Sequence, residues 1–176
     1  AKAEEVGRKI GFYLKKIGFN YDFAPVADVN TNPDNIVIGD RSYGNNPVTV
    51  GKMVSAQLDG MHQSGIIGTL KHFPGHGDTN DDTHSGYVSV NKSWDELKDC
   101  ELVPFISALD KADTIMVSHI TVTSVDKLPS SLSYEIITRK LRNELGYNGV
   151  IITDSMAMGA VADSYTSDVA AVMAVK

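Results

Sequence analysis

The stretch on which this chain is organised reads Lys71-His72-Phe73-Pro74-Gly75-His76-Gly77-Asp78-Thr79-Asn80-Asp81-Asp82-Thr83-His84. It directly follows an apolar run, residues 66–70, that is typical of a short buried strand. A proline and two glycines within residues 74–77 rule out a regular helix after it. The pattern therefore predicts a strand that delivers Lys71 and His72, followed by an irregular loop. Titratable groups gathered on such a loop indicate a functional site rather than packing.

Length and composition exclude several classes of protein. The chain has 176 residues, of which 42% are hydrophobic and 22% charged, as in one ordinary globular domain. A net charge of -6 disfavours general nucleic-acid binding, which requires a basic face. No apolar run approaches the ~18 residues of a membrane span. Cys100 is the only cysteine, so no intrachain disulfide is expected.

Helical and apolar segments alternate along the chain. Helical spacing or capping residues predict helices at residues 1–18, 46–65, 93–111, 133–145 and 160–175, and short apolar runs predict strands at 21–26, 66–70, 114–117 and 150–153. Asn46-Pro47 has the form of a helix start, and Ser93-Trp94-Asp95-Glu96 has the form of a capping box. In the first helix, the apolar stripe consists of Val6, Ile10, Tyr13, Leu14 and Ile17.

Polar residues follow each predicted strand at its carboxyl end. Asp28 follows the first strand, Lys71 and His72 the second, His119 the third and Asp154 the fourth. This arrangement predicts an α/β fold with a parallel sheet, either a (β/α)8 barrel or a doubly wound sheet. Neither a G-x-G-x-x-G turn nor a P-loop is present, which disfavours nucleotide binding. Four strands do not close an eight-stranded barrel, so we expect either a piece of a larger barrel or a segment that something else completes.

The candidate residues each have more than one interpretation. Asp154 is either a helix N-cap or a carboxylate nucleophile at the rim of the sheet. Asp82 and His84 suit a general acid/base pair, because a carboxylate on one ring nitrogen fixes the tautomer and raises the basicity of the other. The alternative for this pair is a solvated turn.

The histidines also allow a metal site, and the basic residues a polar ligand. A metal would take its ligands from His72, His76, Asp78 and His84, although the glycines and the proline prevent the usual helical spacing. Lys71 at a strand end, Arg41 in a polar loop and His119 suit hydrogen bonds to a polar ligand. The alternatives are an ion pair with a nearby carboxylate for Lys71, an exposed surface position for Arg41 and a strand cap for His119.

Five segments of the chain form a recognisable pattern. They read Asn20-Tyr21-Asp22-Phe23-Ala24-Pro25-Val26-Ala27-Asp28-Val29-Asn30, Gly39-Asp40-Arg41-Ser42-Tyr43-Gly44, the stretch from Lys71 to His84, Ile115-Met116-Val117-Ser118-His119, and Ile151-Ile152-Thr153-Asp154-Ser155-Met156-Ala157-Met158. In this order they resemble glycoside hydrolase family 3, specifically its β-N-acetylglucosaminidase branch. The resemblance implies that residues 1–176 are the central part of a single N-terminal (β/α)8 barrel domain, with about four of the eight strands. The first strands and the last strand of that barrel would lie outside the chain.

The resemblance also assigns roles to the catalytic candidates. It implies that Asp154 is the nucleophile and that His84, held by Asp82, is the general acid/base. The activity implied is that of a retaining exo-β-N-acetylglucosaminidase acting on peptidoglycan or chitin fragments that end in N-acetylglucosamine. Phosphorolysis is a further option, since a neutral imidazole does not repel phosphate. The alternatives are a metal-dependent hydrolase and a non-catalytic sugar-binding fragment.

The resemblance assigns substrate binding to a second set of residues. These are Lys71, His72 and Arg41, with Asp28 in a matching segment, and His119 joins the predicted substrate-binding residues from its position at the end of the third predicted strand. No metal or organic cofactor is expected, and the expected partner is a carbohydrate, with no nucleic acid and no membrane span. Self-association or a further chain segment would complete the barrel. The compartment stays open between the bacterial cytoplasm and the secreted or cell-envelope space, because any signal would lie upstream of residue 1.

Overall fold

The computed structural model of the chain describes residues 2–79 and 86–176. In these two parts the helices and strands are α1 (Lys2–Lys16), α2 (Pro47–Gln63), β1 (Thr69–Phe73), β2 (Ser89–Val90), α3 (Trp94–Asp99), α4 (Val103–Ala108), β3 (Thr114–Val117), β4 (Thr121–Val122), a π-helix (Glu135–Glu144), β5 (Val150–Thr153), α5 (Gly159–Ala162) and α6 (Ser167–Val175). Short 3₁₀ turns lie at Gly39–Arg41, Leu109–Lys111 and Ser130–Leu132. None of the described helices combines the length and the apolar character needed to cross a lipid bilayer.

The main sheet is parallel and follows the order of the chain. Its strands lie in the order β1-β3-β5, with Thr69 opposite Thr114 and Thr114 opposite Val150. The prediction of an α/β fold with parallel strands is confirmed. Because parallel strands end on the same side, the residues that follow β1, β3 and β5 are brought to one edge of the sheet.

The segment before β1 differs from the strand predicted for residues 21–26. It lies parallel to β1 but makes only two isolated bridges, Tyr21 with Ile67 and Val26 with Lys71. Pro25 interrupts the ladder because it has no backbone N–H to donate. Backbone hydrogen bonds still fasten the segment at both ends, and the later one runs from the Ala27 N–H to the Lys71 oxygen at 2.6 Å.

Helix starts follow the predicted capping residues, whereas two predicted helices are interrupted. The Asn46 side chain accepts a hydrogen bond from the Thr49 N–H at 2.9 Å, and Ser93 forms the predicted capping box. The helix predicted for residues 93–111 is divided into α3 and α4, and Pro104 lies in the first turn of the second piece. The last predicted helix is divided in the same way, into α5 and α6, and α6 begins after the extended residue Thr166.

A second, two-stranded parallel sheet was not predicted. It pairs β2 with β4 and thereby connects residues 89–90 to the segment that follows β3. Strands of two residues are too short to show any hydrophobic period, so no sequence pattern indicated them. The pairing fixes the chain shortly after the described part resumes at residue 86.

The core lies between the main sheet and the helices α2 and α4. Phe73 and Phe105 are its largest members with no exposed surface, and Leu58, Leu70 and Ile115 are among the others that are fully buried. The rings of Phe73 and Phe105 meet edge to face, with centroids 5.4 Å apart. This packing holds the end of β1 against α4 and so determines where the residues after Phe73 begin.

Helix α1 packs on α2 through small residues rather than through its apolar stripe. Its buried residues are Ala3, Gly7 and Gly11. A Cβ on Gly7 would overlap the carbonyl oxygen of Gln57, and one on Gly60 would overlap that of Glu4. The predicted helix is therefore confirmed, but its predicted apolar stripe is largely exposed, with Tyr13 67% and Ile17 69% exposed. The two backbones approach closely only where glycines lie between them. The glycine face of α1 therefore packs against α2, and its apolar stripe faces outward.

The contact between α1 and α2 predicts an unusual response to alanine. Gly60→Ala should lower the free energy of unfolding by about 1–3 kcal/mol, because a displaced backbone outweighs the roughly 1 kcal/mol that alanine adds in helix propensity. Urea-induced unfolding measures the change. Gly51→Ala in the same helix is the matched control, since its Cβ would meet mainly the rotatable Ser107 hydroxyl and should cost less. Equal losses in the two variants would contradict the close contact.

Candidate active site

The carboxyl ends of the parallel segments open on one pocket. It has a volume of about 210 Å³ and is lined by Phe23, Val37, Ile38, Arg41, Lys71, His72, His76, Met116, Asp154 and Met158. Four of the predicted site residues, Arg41, Lys71, His72 and Asp154, thus line the same pocket although they are far apart in the sequence. Apolar and aromatic side chains form the rest of the wall, as is common in ligand sites.

Behind this pocket lies the fully buried carboxylate of Asp28. Its Oδ2 accepts a hydrogen bond from His72 Nδ1 at 2.7 Å, and its Oδ1 accepts the backbone N–H groups of His72 at 3.2 Å and His76 at 2.7 Å. Burial alone would raise the pKa of Asp28, but the adjacent His72, whose ring is hydrogen-bonded to it, and the backbone N–H of His76 outweigh burial and hold the pKa below its ordinary value. With no exposed surface, Asp28 does not line the pocket itself and borders it only through His72, which does.

The Asp28 bond also determines how His72 meets the pocket. Because a carboxylate only accepts, Nδ1 carries the proton that is donated to Asp28. The other ring nitrogen, Nε2, has no hydrogen-bond partner within the described residues. His72 therefore presents one fixed edge to the pocket, oriented from behind by a buried anion.

His76 is a pocket residue that the sequence suggested only as a metal ligand. Its ring is nearly buried, and its Nδ1 lies 2.7 Å from the Thr79 hydroxyl. Its backbone oxygen accepts a hydrogen bond from the Asn35 side chain at 2.7 Å. These contacts connect the loop after β1 to the loop after residues 21–26, so both walls of the pocket are fixed together.

Lys71 extends its half-buried amine among charged groups. Burial lowers the pKa of Lys71, the charge of Arg41 lowers it further, and the carboxylates of Asp154, Asp22 and Asp28 act in the opposite direction. Asp22 was not singled out from the sequence. Burial raises the pKa of its carboxyl, although Lys71 opposes this shift. A carboxylate within an apolar, strand-like segment was the signal that would have identified it.

Arg41 lies on the opposite wall of the pocket, in the 3₁₀ turn Gly39–Arg41. Its guanidinium donates a hydrogen bond to the backbone oxygen of Val37 at 2.7 Å, which directs the exposed side chain along its own loop. The planar group keeps further N–H donors for a polar ligand.

Asp154 follows β5 directly. Its backbone N–H donates to the Val117 oxygen at 2.9 Å, and its Oδ1 accepts the N–H of Ser155 at 2.7 Å. The N-cap interpretation is wrong for this residue, because α5 begins only at Gly159 and Met158 occupies the cap position. The carboxylate is half-buried and belongs to the pocket wall, as a group that acts on a bound ligand requires.

His119 lies behind the segment that carries Asp154. It is 1% exposed, its Nε2 lies 2.8 Å from the backbone oxygen of Ser155, and its Nδ1 lies 2.7 Å from the hydroxyl of Ser131. These contacts are with the protein rather than with the pocket. Substrate binding by His119 therefore stays a prediction from the sequence, and its observed partners suggest a different role.

Asp82 and His84, the predicted acid/base pair, lie outside the described residues. The chain leading to them is fastened at Asp78, whose carboxylate accepts hydrogen bonds from Thr31 Oγ1 at 2.9 Å and Lys92 Nζ at 2.8 Å. Lys92 also pairs with the buried Glu101 at 2.6 Å. Within residues 2–79 and 86–176, no group of three His, Cys, Asp or Glu side chains is arranged to hold a metal ion.

The buried Asp28 predicts a stability difference that depends on pH. Asp28→Asn should lower the free energy of unfolding by about 2–4 kcal/mol at pH 7, because a neutral amide cannot accept all three hydrogen bonds. The carboxyl pKa is lowered in the folded state, so its stabilisation is complete above the unfolded value of ~3.9 and is lost as the pH falls through the folded value.

Urea-induced unfolding at pH 7 and at pH 3 measures this effect. The difference between the two proteins should begin to shrink only below about pH 4. Asp34→Asn, a change at an exposed aspartate in the next loop, is the matched control and should be nearly neutral. A difference that is as large at pH 3 as at pH 7 would argue against a charged Asp28.

Comparisons with known proteins place this chain in a family. All residues from 1 to 176 match the family model described as the glycosyl hydrolase family 3 N terminal domain. Beta-hexosaminidase A of Pseudoalteromonas piscicida is 38% identical, with 93% of this chain and 30% of that protein covered. Beta-hexosaminidase of Tolumonas auensis is also 38% identical, with 93% of this chain and 49% of that protein covered.

A solved structure agrees with these relatives. The glycoside hydrolase family 3 beta-N-acetylglucosaminidase from Paenibacillus sp. str. FPU-7 superposes with a TM-score of 0.96 at 40% identity, over 98% of this chain and 34% of that chain. The chain thus spans between about a third and a half of the length of these three proteins. The resemblance found in the five sequence segments is confirmed, and the chain belongs to the glycoside hydrolase family 3 N-terminal domain family.

Proposed function

We propose that this chain carries the catalytic nucleophile and part of the sugar pocket of a retaining exo-β-N-acetylglucosaminidase. The observation that carries the proposal is the position of Asp154, a strand-end carboxylate that shares one pocket with Lys71, His72 and Arg41. Carboxylates in such pockets act as nucleophiles in retaining glycosidases. The names of the relatives support a hexosaminidase rather than another glycosidase.

In the first step, the Asp154 carboxylate attacks the anomeric carbon and forms a covalent glycosyl-enzyme, while the leaving oxygen takes a proton. Oδ1 of Asp154 is held by the Ser155 N–H. Oδ2, which accepts no hydrogen bond within the described residues, is then the attacking atom. His84, oriented by Asp82, supplies the proton in this proposal. In the second step, His84 takes a proton from water, which attacks the same carbon and releases the sugar.

The cations of the pocket would bind the sugar through its hydroxyl groups. Lys71 and Arg41 donate charge-assisted hydrogen bonds, which are stronger than those between neutral groups. His72 contributes its Nε2 edge, fixed by Asp28. The proposed substrates are saccharides that end in N-acetylglucosamine, such as fragments of peptidoglycan or chitin.

We infer that the chain is the central arc of a (β/α)8 barrel. The extended segment 21–26, β1, β3 and β5 are neighbours in chain order, whereas a doubly wound sheet reverses its strand order at a switch point. Within the described part, β5 has one unpaired edge, Val150 is 57% exposed, and the apolar stripe of α1 faces outward. Further strands, from the same protein or from a second copy, would cover these surfaces.

Replacement of the nucleophile tests the mechanism. In the full-length protein that contains this chain, Asp154→Ala should lower kcat on p-nitrophenyl β-N-acetylglucosaminide by at least about 1,000-fold, because no covalent intermediate forms. Release of p-nitrophenol measures the rate. Asp163→Ala, at an exposed aspartate beyond α5, is the matched control and should keep wild-type activity.

The same assay separates the alternative functions. A metal-dependent hydrolase would lose activity in EDTA, whereas the proposed enzyme keeps it. A sugar-binding fragment would bind N-acetylglucosamine without releasing product. Near-full activity of Asp154→Ala would reject the proposed nucleophile.

The pKa of Lys71 predicts an alkaline limit for sugar binding. Because burial and Arg41 lower that pKa, the ammonium donor is lost at a lower pH than the ~10.4 of an ordinary lysine, and affinity falls there. Calorimetric titration with N-acetylglucosamine between pH 7 and pH 10.5 measures the dissociation constant. Lys71→Arg, which stays charged throughout, should remove the fall, and a fall that persists in this variant would assign it to another group.

A further inference from the structure

The imidazole of His119 lies between two segments that meet behind the pocket. Its Nε2 is 2.8 Å from the backbone oxygen of Ser155, which follows Asp154, and its Nδ1 is 2.7 Å from the hydroxyl of Ser131. Both His119 and Ser131 are essentially inaccessible to solvent. The ring therefore joins the end of β3, the turn Ser130–Leu132 and the segment after β5.

Hydrogen-bond chemistry determines the tautomer of this ring. A backbone carbonyl only accepts, so the bond to Ser155 requires a proton on Nε2. In the neutral ring, Nδ1 is then the acceptor and the Ser131 hydroxyl is the donor. Ser131 is itself fixed, because its backbone N–H donates to the Ser118 oxygen at 3.1 Å. The orientation of the ring is thus determined from both sides.

A single residue, Ser155, connects His119 to the proposed nucleophile through hydrogen bonds. Ser155 accepts the His119 bond with its oxygen and donates its N–H to Asp154 Oδ1 at 2.7 Å. The backbone N–H of Asp154 donates to Val117, two positions before His119. Val117, the last residue of β3, therefore holds Asp154, and His119 holds the next residue, Ser155.

We propose that His119 is a positioning residue that fixes Ser155 and thereby aims the Asp154 carboxylate at the anomeric carbon. This inference rests on the proposed function of Asp154. It gives His119 no contact with the sugar and no transferred proton. Covalent catalysis depends on the approach of the attacking atom, and a displacement of about 1 Å lowers a rate by about 100-fold. The His119 bond is placed to prevent such a displacement.

Two substitutions of His119 separate positioning from simple filling of space. The amide nitrogen of glutamine reaches the place of Nε2 and keeps a donor for Ser155, whereas asparagine reaches only the place of Nδ1. His119→Asn should lower kcat by about 10- to 100-fold, with KM changed by less than about threefold, because Lys71 and Arg41 are untouched. His119→Gln should recover most of kcat.

The step affected is the formation of the glycosyl-enzyme. Stopped-flow measurement of p-nitrophenol release in the full-length protein should show a slower first turnover in His119→Asn than in His119→Gln. A purely structural histidine would lower the fraction of active protein and the unfolding temperature, without a rate difference between the two variants. Equal first-turnover rates in His119→Asn and the wild type would overturn the inference.

Ser131→Ala and Ser130→Ala form a matched pair that remains informative if the His119 variants do not fold. Both serines are fully buried and adjacent, but Ser130 donates its hydroxyl to the Ile120 oxygen at 2.6 Å, whereas Ser131 is the hydroxyl bonded to the His119 ring. Ser131→Ala removes the partner of Nδ1 and should lower kcat by about three- to tenfold, whereas Ser130→Ala should not. Equal kcat values in these two variants would overturn the inference.

The Asp154→Ala variant distinguishes failure of the positioning role of His119 from failure of the proposed function. If Asp154→Ala stays active, the proposed nucleophile is wrong, and His119 has no such group to aim. If Asp154→Ala is inactive while His119→Asn and Ser131→Ala keep the wild-type kcat, the function stands and only the positioning role is rejected.

Discussion

A single buried carboxylate, that of Asp28, determines the geometry of the pocket. It accepts one hydrogen bond from the ring of His72 and two from the backbone at His72 and His76. An anion without exposed surface is tolerated only when such donors surround it. The bonds tie the end of the first extended segment to the loop after β1. Lys71 and His72 thus meet Arg41 and Asp154 across one pocket because this anion holds the loop in place.

Much of the fold could be predicted because local signals agreed with the tertiary structure. The apolar runs at β3 and β5 and the caps at Asn46 and Ser93 are local features that survive packing. The departures came from tertiary contacts that no local pattern contains. The face that α1 buries is one of them, since the close approach of α2 selects glycines and leaves a more hydrophobic face exposed.

In the candidate site too, some features could be predicted from the sequence and others depend on tertiary contacts. Lys71, His72 and Asp154 line the pocket as their strand-end positions predicted, and Arg41 joins them from a polar loop. The surroundings of Asp28 and His119 could not be predicted, because burial and hydrogen-bond partners depend on residues that lie far away in the sequence. The residue type indicated a functional group at each position. Only the structure distinguishes a side chain that lines the pocket from one that holds its neighbour.

The chain-order arrangement of the sheet has a consequence for folding kinetics. Segment 21–26 pairs with β1, β1 with β3, and β3 with β5, so each strand joins a neighbour that precedes it by one helical connection. The entropy lost in closing a loop grows only with the logarithm of its length, and here every closure spans a connection of similar length. Among the described strands of the main sheet, none pairs with a strand that lies further along the chain than the next one of that sheet. The main sheet is therefore suited to fold by successive addition of one strand and its helical connection, with a nearly equal entropic barrier at each addition.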